Sequence, residues 1–381
     1  MQYSTFAAID IGSYDVILEI FEISKKQGIR SVDKICHRME LGKDTYTLGK
    51  IRPEMEEELC RVLADFVRIM EGYRVDDYRA TASSAISEAS NSLYVLGKIH
   101  QLTGLSVTVL SNSEQRFLSY KALAAMEDNF NKIIEKGTAI LDLDGGSFQI
   151  SLFDKDALVT TQNIRMGSLR IRERLAGIQS ETEHYEEMVE ELIWNEVSSF
   201  KKMYLKDRKI ENIMLIGDVF TDSVYQNIEE KTTKIISREN FNTWYEKIIR
   251  QSPMELAVKL GIPLENASLM YPSAVIYKCL IDMMGAEHIW IPGVHMTRGI
   301  AYEYAEQMKL LKGGHNFEND ILMAAKNIGK RYAVNRPHVQ NLEMTALAMF
   351  DATKKMHGMK ERERLLLQMA VMLHDVGKYI S

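Results

Sequence analysis

The sequence predicts an α/β fold of two duplicated halves that face a central cleft, followed by a partial all-helical region. Short apolar strands and helices alternate in the order βββαβαβα in the first third of the chain, and the pattern then restarts. In each half, the turn after the first strand is acidic and contains glycine, at Asp10 and at Asp142. We therefore expect domains over residues 1–127, 128–310 and 311–381, the last of them truncated.

The first half opens with three apolar strands, expected at Phe6–Ile11, Val16–Ile23 and Ser31–Leu41. A helix then begins at Pro53, because proline at the first helical position and glutamates near the positive end of the helix dipole are start signals. The remaining elements are a strand at Tyr78–Ala82, a helix at Ile86–Thr103, a strand at Ser106–Leu110 and a helix from Glu114.

The second half repeats the three strands and then alternates helices with strands. Its strands are expected at Thr138–Leu143, Phe148–Phe153, Ala157–Ile164, Asn212–Ile216 and His288–Ile291, and its helices at Thr182–Tyr204 and Ser273–Met284. The helical region follows at Asp320–Ala333, Pro337–Met356 and Lys360–Ile380. The alternative to duplication is a pair of unlike domains that fold independently.

Composition limits the classes of function. The 381 residues are 46% apolar and 26% charged, as in a globular protein of two or three domains. A balance of 47 basic and 53 acidic side chains excludes a generally basic coat for nucleic acid. Three widely spaced cysteines support neither a disulfide framework nor a zinc knuckle, so we expect a reduced, cytoplasmic setting. No apolar run reaches the roughly 18–20 residues of a membrane span, and no signal peptide is apparent.

The two acidic turns are candidate phosphate sites. Successive backbone N–H groups in such turns can hold an anion, and glycine lets a phosphate approach closely. A carboxylate would repel bare phosphate, so Asp10 and Asp142 predict a bridging Mg²⁺. The predicted phosphate-binding residues are Gly12, Ser13, Asp144, Gly145, Gly146 and Ser147. The alternative for a single turn is an ordinary hairpin, and neither a P-loop nor a Rossmann glycine fingerprint is present.

As an ordered set, these motifs resemble the exopolyphosphatase / guanosine pentaphosphate phosphohydrolase (Ppx/GppA) family of the actin-like ATPase superfamily. The segments that carry the resemblance are Ala8–Ser13, Ala82–Asn91, Leu110–Gln115, Leu141–Gln149, Met166–Arg170 and Thr297–Gly299. The resemblance implies two actin-like (ribonuclease H-like) domains with a central cleft. It also implies Mg²⁺-dependent release of terminal phosphate from polyphosphate or guanosine penta- or tetraphosphate, and a possible homodimer, with neither specific nucleic acid nor membrane as partner.

Several positions depart from the family pattern. Gln115 stands where the resemblance assigns the glutamate that activates water, and Gln149 replaces a second glutamate. Ser87 replaces a phosphate-binding arginine, and Tyr14 an asparagine. Glutamine cannot accept a proton at neutral pH, and general base catalysis typically contributes about 10²–10⁴-fold. The rate of the usual mechanism should therefore be strongly reduced unless another group replaces the lost carboxylates.

Two carboxylates are candidates for that rescue. Glu114 is adjacent to Gln115, and Asp144 lies inside the second turn. Neighbours on a helix point about 100° apart, so Glu114 could serve only if the start of its helix were displaced. The predicted catalytic set is therefore Glu114, Gln115 and Gln149, with Asp144 as a possible stand-in.

Two functions remain open. One is an exopolyphosphatase-like phosphohydrolase, with either full or weakened catalysis. The other is a catalytically degenerate protein that binds polyphosphate or an alarmone nucleotide. An actin-like ATPase or sugar kinase is disfavoured, because the late turn at Leu215–Phe220 has one glycine, Gly217, where such proteins usually have two.

The helical region resembles the HD-like domain that some family members carry. His374 and Asp375 form the His-Asp pair, and His338 would be the upstream histidine. An HD metal site usually uses a further downstream aspartate, which the sequence ends too early to supply. We therefore interpret the pair as a structural remnant in preference to a working metal site.

Overall fold

The computed structural model describes residues 3–126, 130–155, 157–176, 185–227, 235–311, 315 and 317–380. Within these ranges the chain forms two mixed sheets with flanking helices. None of the helices in this described part combines the length and apolar character that a membrane crossing requires.

The first sheet has five strands in the order β3-β2-β1-β4-β5. Its strands are β1 (Ser4–Ile11), β2 (Asp15–Ser24), β3 (Gly28–Arg38), β4 (Asp77–Ala82) and β5 (Val107–Val109). The first three are antiparallel neighbours, whereas β4 and β5 run parallel to β1.

The second sheet repeats this arrangement and adds an edge strand, in the order β10-β11-β9-β6-β7-β8. Its strands are β6 (Thr138–Leu143), β7 (Phe148–Asp154), β8 (Ala157–Ile164), β9 (Asn212–Ile216), β10 (Ile235–Ser237) and β11 (His288–Trp290). Strands β6, β7 and β8 are antiparallel, and β9 and β11 run parallel to β6. The predicted duplication is therefore confirmed in the strand order itself.

Helices connect the parallel strands and cover both sheets. They are α1 (Leu41–Leu48), α2 (Pro53–Gly72), α3 (Ser84–Ser87), α4 (Ser92–Thr103), α5 (Asn112–Met126), α6 (Phe130–Ile134), α7 (Ser168–Leu175), α8 (Tyr185–Phe200), α9 (Val219–Asn227), α10 (Arg238–Ile249), α11 (Pro253–Leu260), α12 (Leu264–Met284), α13 (Met296–Gln307), α14 (Phe317–Arg331), α15 (Arg336–Ala352), α16 (Lys354–His357) and α17 (Glu361–Leu373). A π-helical turn at Lys201–Leu205 extends α8, and a 3-10 turn at Val376–Ile380 follows α17.

Helix α13 follows the second sheet in sequence but packs against the first. It contacts α5 and strands β1 and β2. The rings of Phe6 and Tyr304 stack there with centroids 4.1 Å apart. Residues 291–295, which lead from β11 into α13, therefore pass between the halves.

Two features of the first half differ from the sequence prediction. Helix α1 was not expected between β3 and α2. The single helix expected at Ile86–Thr103 is two helices, because Asn91 leaves the helical path. Its side chain accepts a hydrogen bond from the amide of Ile51 (3.0 Å) and donates one to the Ile51 carbonyl (2.8 Å), which ties the break to the start of α2.

The helical region packs on the outer strand of the second sheet. The side-chain Nδ2 of Asn327 in α14 donates to the backbone carbonyls of Leu158 and Val159 in β8, both at 3.2 Å. The helix expected over Lys360–Ile380 ends at Leu373. The 127/128 boundary and the start of the helix expected from Thr182 lie outside the described residues.

Candidate functional site

A cavity of about 320 Å³ lies between the two halves. Its walls are the carboxyl ends of β1, β4, β6 and β9 and the loop that leads into α13. Ligands in open α/β sheets bind outside the carboxyl ends of parallel strands. The cavity is therefore the candidate site.

The first turn (Gly12–Tyr14) and the second turn (Asp144–Ser147) occupy equivalent positions. The Gly12 amide donates to the Asp15 carbonyl at 2.8 Å, and the Asp144 amide donates to the Ser147 carbonyl at 2.9 Å. Other backbone N–H groups of these turns have no hydrogen-bond partner among the described residues: those of Ser13, Tyr14, Gly146 and Ser147. Unpaired N–H groups in a turn are the feature that binds an anion.

The two turns face each other and touch. A methyl group built on Gly145 would lie 3.3 Å from Cβ of Ser13. A methyl group on Gly146 would overlap the hydroxyl of Tyr46, which lies 2.7 Å from Oγ of Ser13 and 2.8 Å from Oγ of Ser84. Gly12, Asp144, Gly145 and Ser147 line the cavity, whereas Ser13 and Gly146 lie behind it, covered by Tyr46.

Three carboxyl groups from the two turns and their strands share the cavity wall. Burial raises the pKa of Asp142 to about 6, although a hydrogen bond from Ser119 acts to lower it. It raises the pKa of Asp144 to about 7, although the Gly145 amide donates to that carboxylate at 2.6 Å. Burial and the charge of Asp15 raise the pKa of Asp10 well above its usual range. Crowded carboxylates with raised pKa values favour a bound cation.

A fourth carboxyl group was missed in the sequence. Asp218 follows Gly217 at the end of β9 and lines the cavity, and burial raises its pKa to about 7. Gly217 has φ of +103°, and a methyl group there would lie 2.5 Å from Oδ1 of Asp142. Because β9 runs parallel to β6, the Gly-Asp pair after β9 was a usable signal. Other lining residues not foreseen are Asp15, Lys34, Arg38, Asp222 and His295.

Gln115 and Gln149, which stand where the resemblance implies glutamates, both line the cavity. Gln149 lies opposite Asp142 in the strand pairing, and its buried Oε1 has no hydrogen-bond partner in the described structure. Gln115 is also buried, and its Nε2 donates to the Leu110 carbonyl at 3.4 Å. Both predicted positions therefore reach the cleft.

Glu114 and Ser87 are exposed and do not line the cavity. The Glu114 carboxylate accepts hydrogen bonds from the amide and the hydroxyl of Ser111, both at 2.8 Å, which lower its pKa. Glu114 thus caps the start of α5. It points away from the cavity, as expected for the neighbour on a helix of Gln115, which lines the cavity. The cations at the cavity wall are Lys34 and Arg38 of β3, and Arg38 pairs with Asp15 at 2.7 Å.

Side chains from α7 and α12 hold the halves together beside the cavity. Arg172 donates two hydrogen bonds to Glu40, at 2.7 and 2.8 Å. Arg170 stacks over the ring of Tyr46. The Tyr14 hydroxyl donates to Oδ1 of Asn266 at 3.0 Å, so Tyr14 bridges the halves.

A separate cluster lies in the helical region. His338, His374 and Asp375 are the one set of three potential metal-ligating residues, within the described parts of the chain, whose ligand atoms lie within 4.8 Å of each other. Nε2 of His374 lies 3.3 Å from Nε2 of His338 and 3.0 Å from Oδ1 of Asp375. The Lys378 ammonium pairs with the same Oδ1 at 2.8 Å. Interpretation of this cluster as a structural remnant stays a prediction.

Comparison with family models matches residues 19–308 to the Ppx/GppA phosphatase family. The chain belongs to this family. A bifunctional 3-dehydroquinate synthase/phosphatase of Fusobacterium nucleatum is 21% identical over 74% of the chain, and the match spans 44% of that relative. A guanosine-5'-triphosphate,3'-diphosphate pyrophosphatase of Vibrio atlanticus is 19% identical over 99% of the chain and 73% of its own length.

Solved structures of Ppx/GppA proteins share the fold. An exopolyphosphatase from Cytophaga hutchinsonii superimposes with a TM-score of 0.71 at 17% identity, over 80% of this chain and 98% of that one. The Aquifex aeolicus family member gives 0.66 at 17% identity, over 81% and 99%. These likenesses confirm the actin-like two-domain fold and, at this identity, carry no conclusion about substrate.

Proposed function

We propose that this Ppx/GppA protein is a phosphohydrolase that releases terminal phosphate from polyphosphate or guanosine pentaphosphate. The observation that carries the proposal is that both turns reach one cavity, with the unpaired backbone N–H groups of Tyr14 and Ser147 belonging to residues of its wall. The name of the Vibrio relative, a guanosine-5'-triphosphate,3'-diphosphate pyrophosphatase, points to the same class of substrate.

The residues of the cavity fit a magnesium ion. Oδ1 of Asp10 and Oε1 of Gln149 are buried acceptors with no partner within the described residues, and hard oxygen ligands are those that Mg²⁺ prefers. Among the described residues, no three carboxylates of the cavity have oxygens within 4.8 Å of one another. Substrate oxygens and water would therefore complete the coordination of the ion. Asp10 and Asp142 are the residues that would hold the ion.

Each part of the cavity would then have a separate task. Amides of the two turns would bind phosphate oxygens, and Lys34 and Arg38 would attract the polyanion. A bound magnesium ion would supply charge neutralisation for the phosphate that is transferred. Gln115 and Gln149 can orient a water molecule by hydrogen bonds but cannot take its proton.

Phosphate release from long-chain polyphosphate and from guanosine pentaphosphate tests the proposal. We expect turnover with magnesium and none after chelation. Asp142→Asn should abolish it, and Asp207→Asn, at an exposed position outside the cavity, should leave it unchanged.

A second candidate is a protein that binds these polyanions without hydrolysing them. Gln115 and Gln149 favour it, because neither of these cavity residues can act as a base. Equilibrium binding of polyphosphate without any phosphate release would support this candidate and contradict the first.

A further inference from the structure

A histidine outside the predicted catalytic set lines the same cavity. His295 ends the loop that crosses between the halves and is the N-cap residue of α13. It shares the cavity wall with Asp10, Asp142 and Gln115, so it reaches the space in which the proposed function would bring substrate and water together.

Asp222, in the first turn of α9, lies beside this histidine. Its Oδ1 lies 3.5 Å from Nε2 of His295, and it also lines the cavity. This distance is at the outer limit of hydrogen bonding, and catalytic hydrogen bonds in ligand-free sites are often long and shorten when substrate binds. A carboxylate at Nε2 favours the tautomer with its proton on that nitrogen, and Nδ1 then carries the lone pair.

The charges around His295 come from three elements. Burial lowers its pKa, and Asp222 is the first group that opposes this shift. Lys34 of β3 lowers the pKa further, whereas Glu19 and Asp15 of β2 raise it. A pKa below the ordinary value leaves the imidazole neutral at pH 7, and therefore able to accept a proton.

Other acids of the cavity are less suited to this task. Asp10 and Asp142 are committed to the metal in the proposed function, and Asp144 accepts a hydrogen bond from the Gly145 amide. The two glutamines cannot act as bases. Asp218 accepts hydrogen bonds from the Thr221 backbone N–H and the Tyr277 hydroxyl, and Asp15 pairs with Arg38.

We propose that His295, oriented by Asp222, is the general base that activates water in this protein. The inference rests on the proposed function. The water oxygen forms a bond to the terminal phosphorus as the bond from phosphorus to the bridging oxygen breaks. The leaving polyphosphate or nucleotide keeps that electron pair, and the water proton passes to Nδ1 of His295. Asp222 stabilises the resulting imidazolium.

The test compares kcat, KM and the pH profile of five proteins with magnesium and polyphosphate: the wild type, His295→Asn, His295→Gln, Asp222→Asn and His288→Asn. His295→Asn should keep the fold, because asparagine is a favoured N-cap residue, and should lower kcat by about 10²–10⁴-fold with little change in KM. In the His295→Asn profile, the part of the acid limb that comes from His295 should be absent, whereas the part that comes from Asp142 and Asp144 remains. Asp222→Asn should move that limb to lower pH, since Asp222 raises the pKa of His295. His288→Asn, on an exposed strand residue, should match the wild type.

The outcomes separate the two proposals. If the wild type turns over and His295→Asn does so at the same rate with the same profile, the base assignment is overturned and the proposed function stands. Absence of turnover of both polyphosphate and guanosine pentaphosphate in the wild type overturns both. Should His295→Asn and His295→Gln both fail to fold, Asp222→Asn decides alone: an acid limb that does not move overturns the assignment.

Discussion

The guanidinium of Arg172 in the second half donates two hydrogen bonds to the carboxylate of Glu40 in the first half, at 2.7 and 2.8 Å. Both side chains are largely shielded, with 15% and 22% of their surface exposed. Paired charges in such geometry interact more strongly than those of exposed pairs. The contact therefore closes the cleft at the side of α1 and α7.

A double-mutant cycle of Arg172→Gln and Glu40→Gln measures that closure. We expect a coupling energy of about 0.5–3 kcal/mol in urea unfolding. The exposed pair Arg250 and Glu246 is the control, and its cycle should give about 0.3–0.5 kcal/mol. Equal coupling in the two cycles would show that the first pair does not hold the halves together.

Gly146 is required by the packing of Tyr46 on the second turn. Gly146→Ala would place a methyl group against the Tyr46 hydroxyl and 2.5 Å from Oγ of Ser84. We expect a loss of about 1–3 kcal/mol in the free energy of unfolding, as in other overpacked sites. Gly97→Ala, on α4 with nothing within 4 Å of the new methyl, should instead stabilise by about 0.5–1 kcal/mol. A Gly146→Ala protein as stable as the wild type contradicts this packing.

The pKa of Asp218 makes stability depend on pH. Its folded value of about 7 exceeds the unfolded value of about 4, so the folded state binds a proton that the unfolded state releases. Stability contributed by this group should increase as pH falls from about 7 to about 4. Above pH 7, Asp218→Asn should therefore be more stable than the wild type by on the order of 1 kcal/mol, since part of the shift is lost to solvent in the open cavity.

Denaturant unfolding across this pH range checks the Asp218 prediction. The substituted amide keeps an oxygen that can accept from the Thr221 backbone N–H, as Oδ1 of Asp218 does at 3.1 Å, so the helix start should persist. The stability difference should shrink towards pH 4. Asp207→Asn, at an exposed position, should show no such trend. A constant difference at every pH would mean that the Asp218 charge is not its origin.

Magnesium should raise the melting temperature if Asp10 and Asp142 hold it. A ligand at a hundred times its Kd stabilises the folded state by about 2.7 kcal/mol. Asp142→Asn should be more stable than the wild type without magnesium, because it removes one buried charge, and should lose the response to magnesium. The opposite result, an unchanged response in Asp142→Asn, would place the ion elsewhere. Calorimetry with and without chelator measures both effects.

The strands and the paired turns were predictable because their signals are local. Strands β6, β8 and β9 have the bounds that apolar periodicity gave, and Asp10 and Asp142 lie near the strand ends where the turn pattern placed them. Helix α5 begins close to Glu114, and its capping by Ser111 follows from the spacing of the two residues.

The contacts across the cleft could not be predicted from the sequence. Tyr46 reaches Gly146 from a helix that follows β3, and no periodicity connects these positions. His295 and Asp222 meet only because the chain crosses between the halves before α13. Asn91 interrupts a helical pattern because its side chain forms a hydrogen bond with Ile51, about forty positions earlier in the chain. A tertiary contact overrides the local helix propensity there.

The path of α13 also limits how the protein can be divided. Phe6, Ala8, Phe21 and Ile23 are covered by Ile300, Ala301, Tyr304 and Ala305. A fragment that stops at the end of the first α/β repeat would expose this apolar strip to water and invite aggregation. Ribosomal synthesis meets the same difficulty, because this face of the first sheet stays uncovered until about three hundred residues have been made.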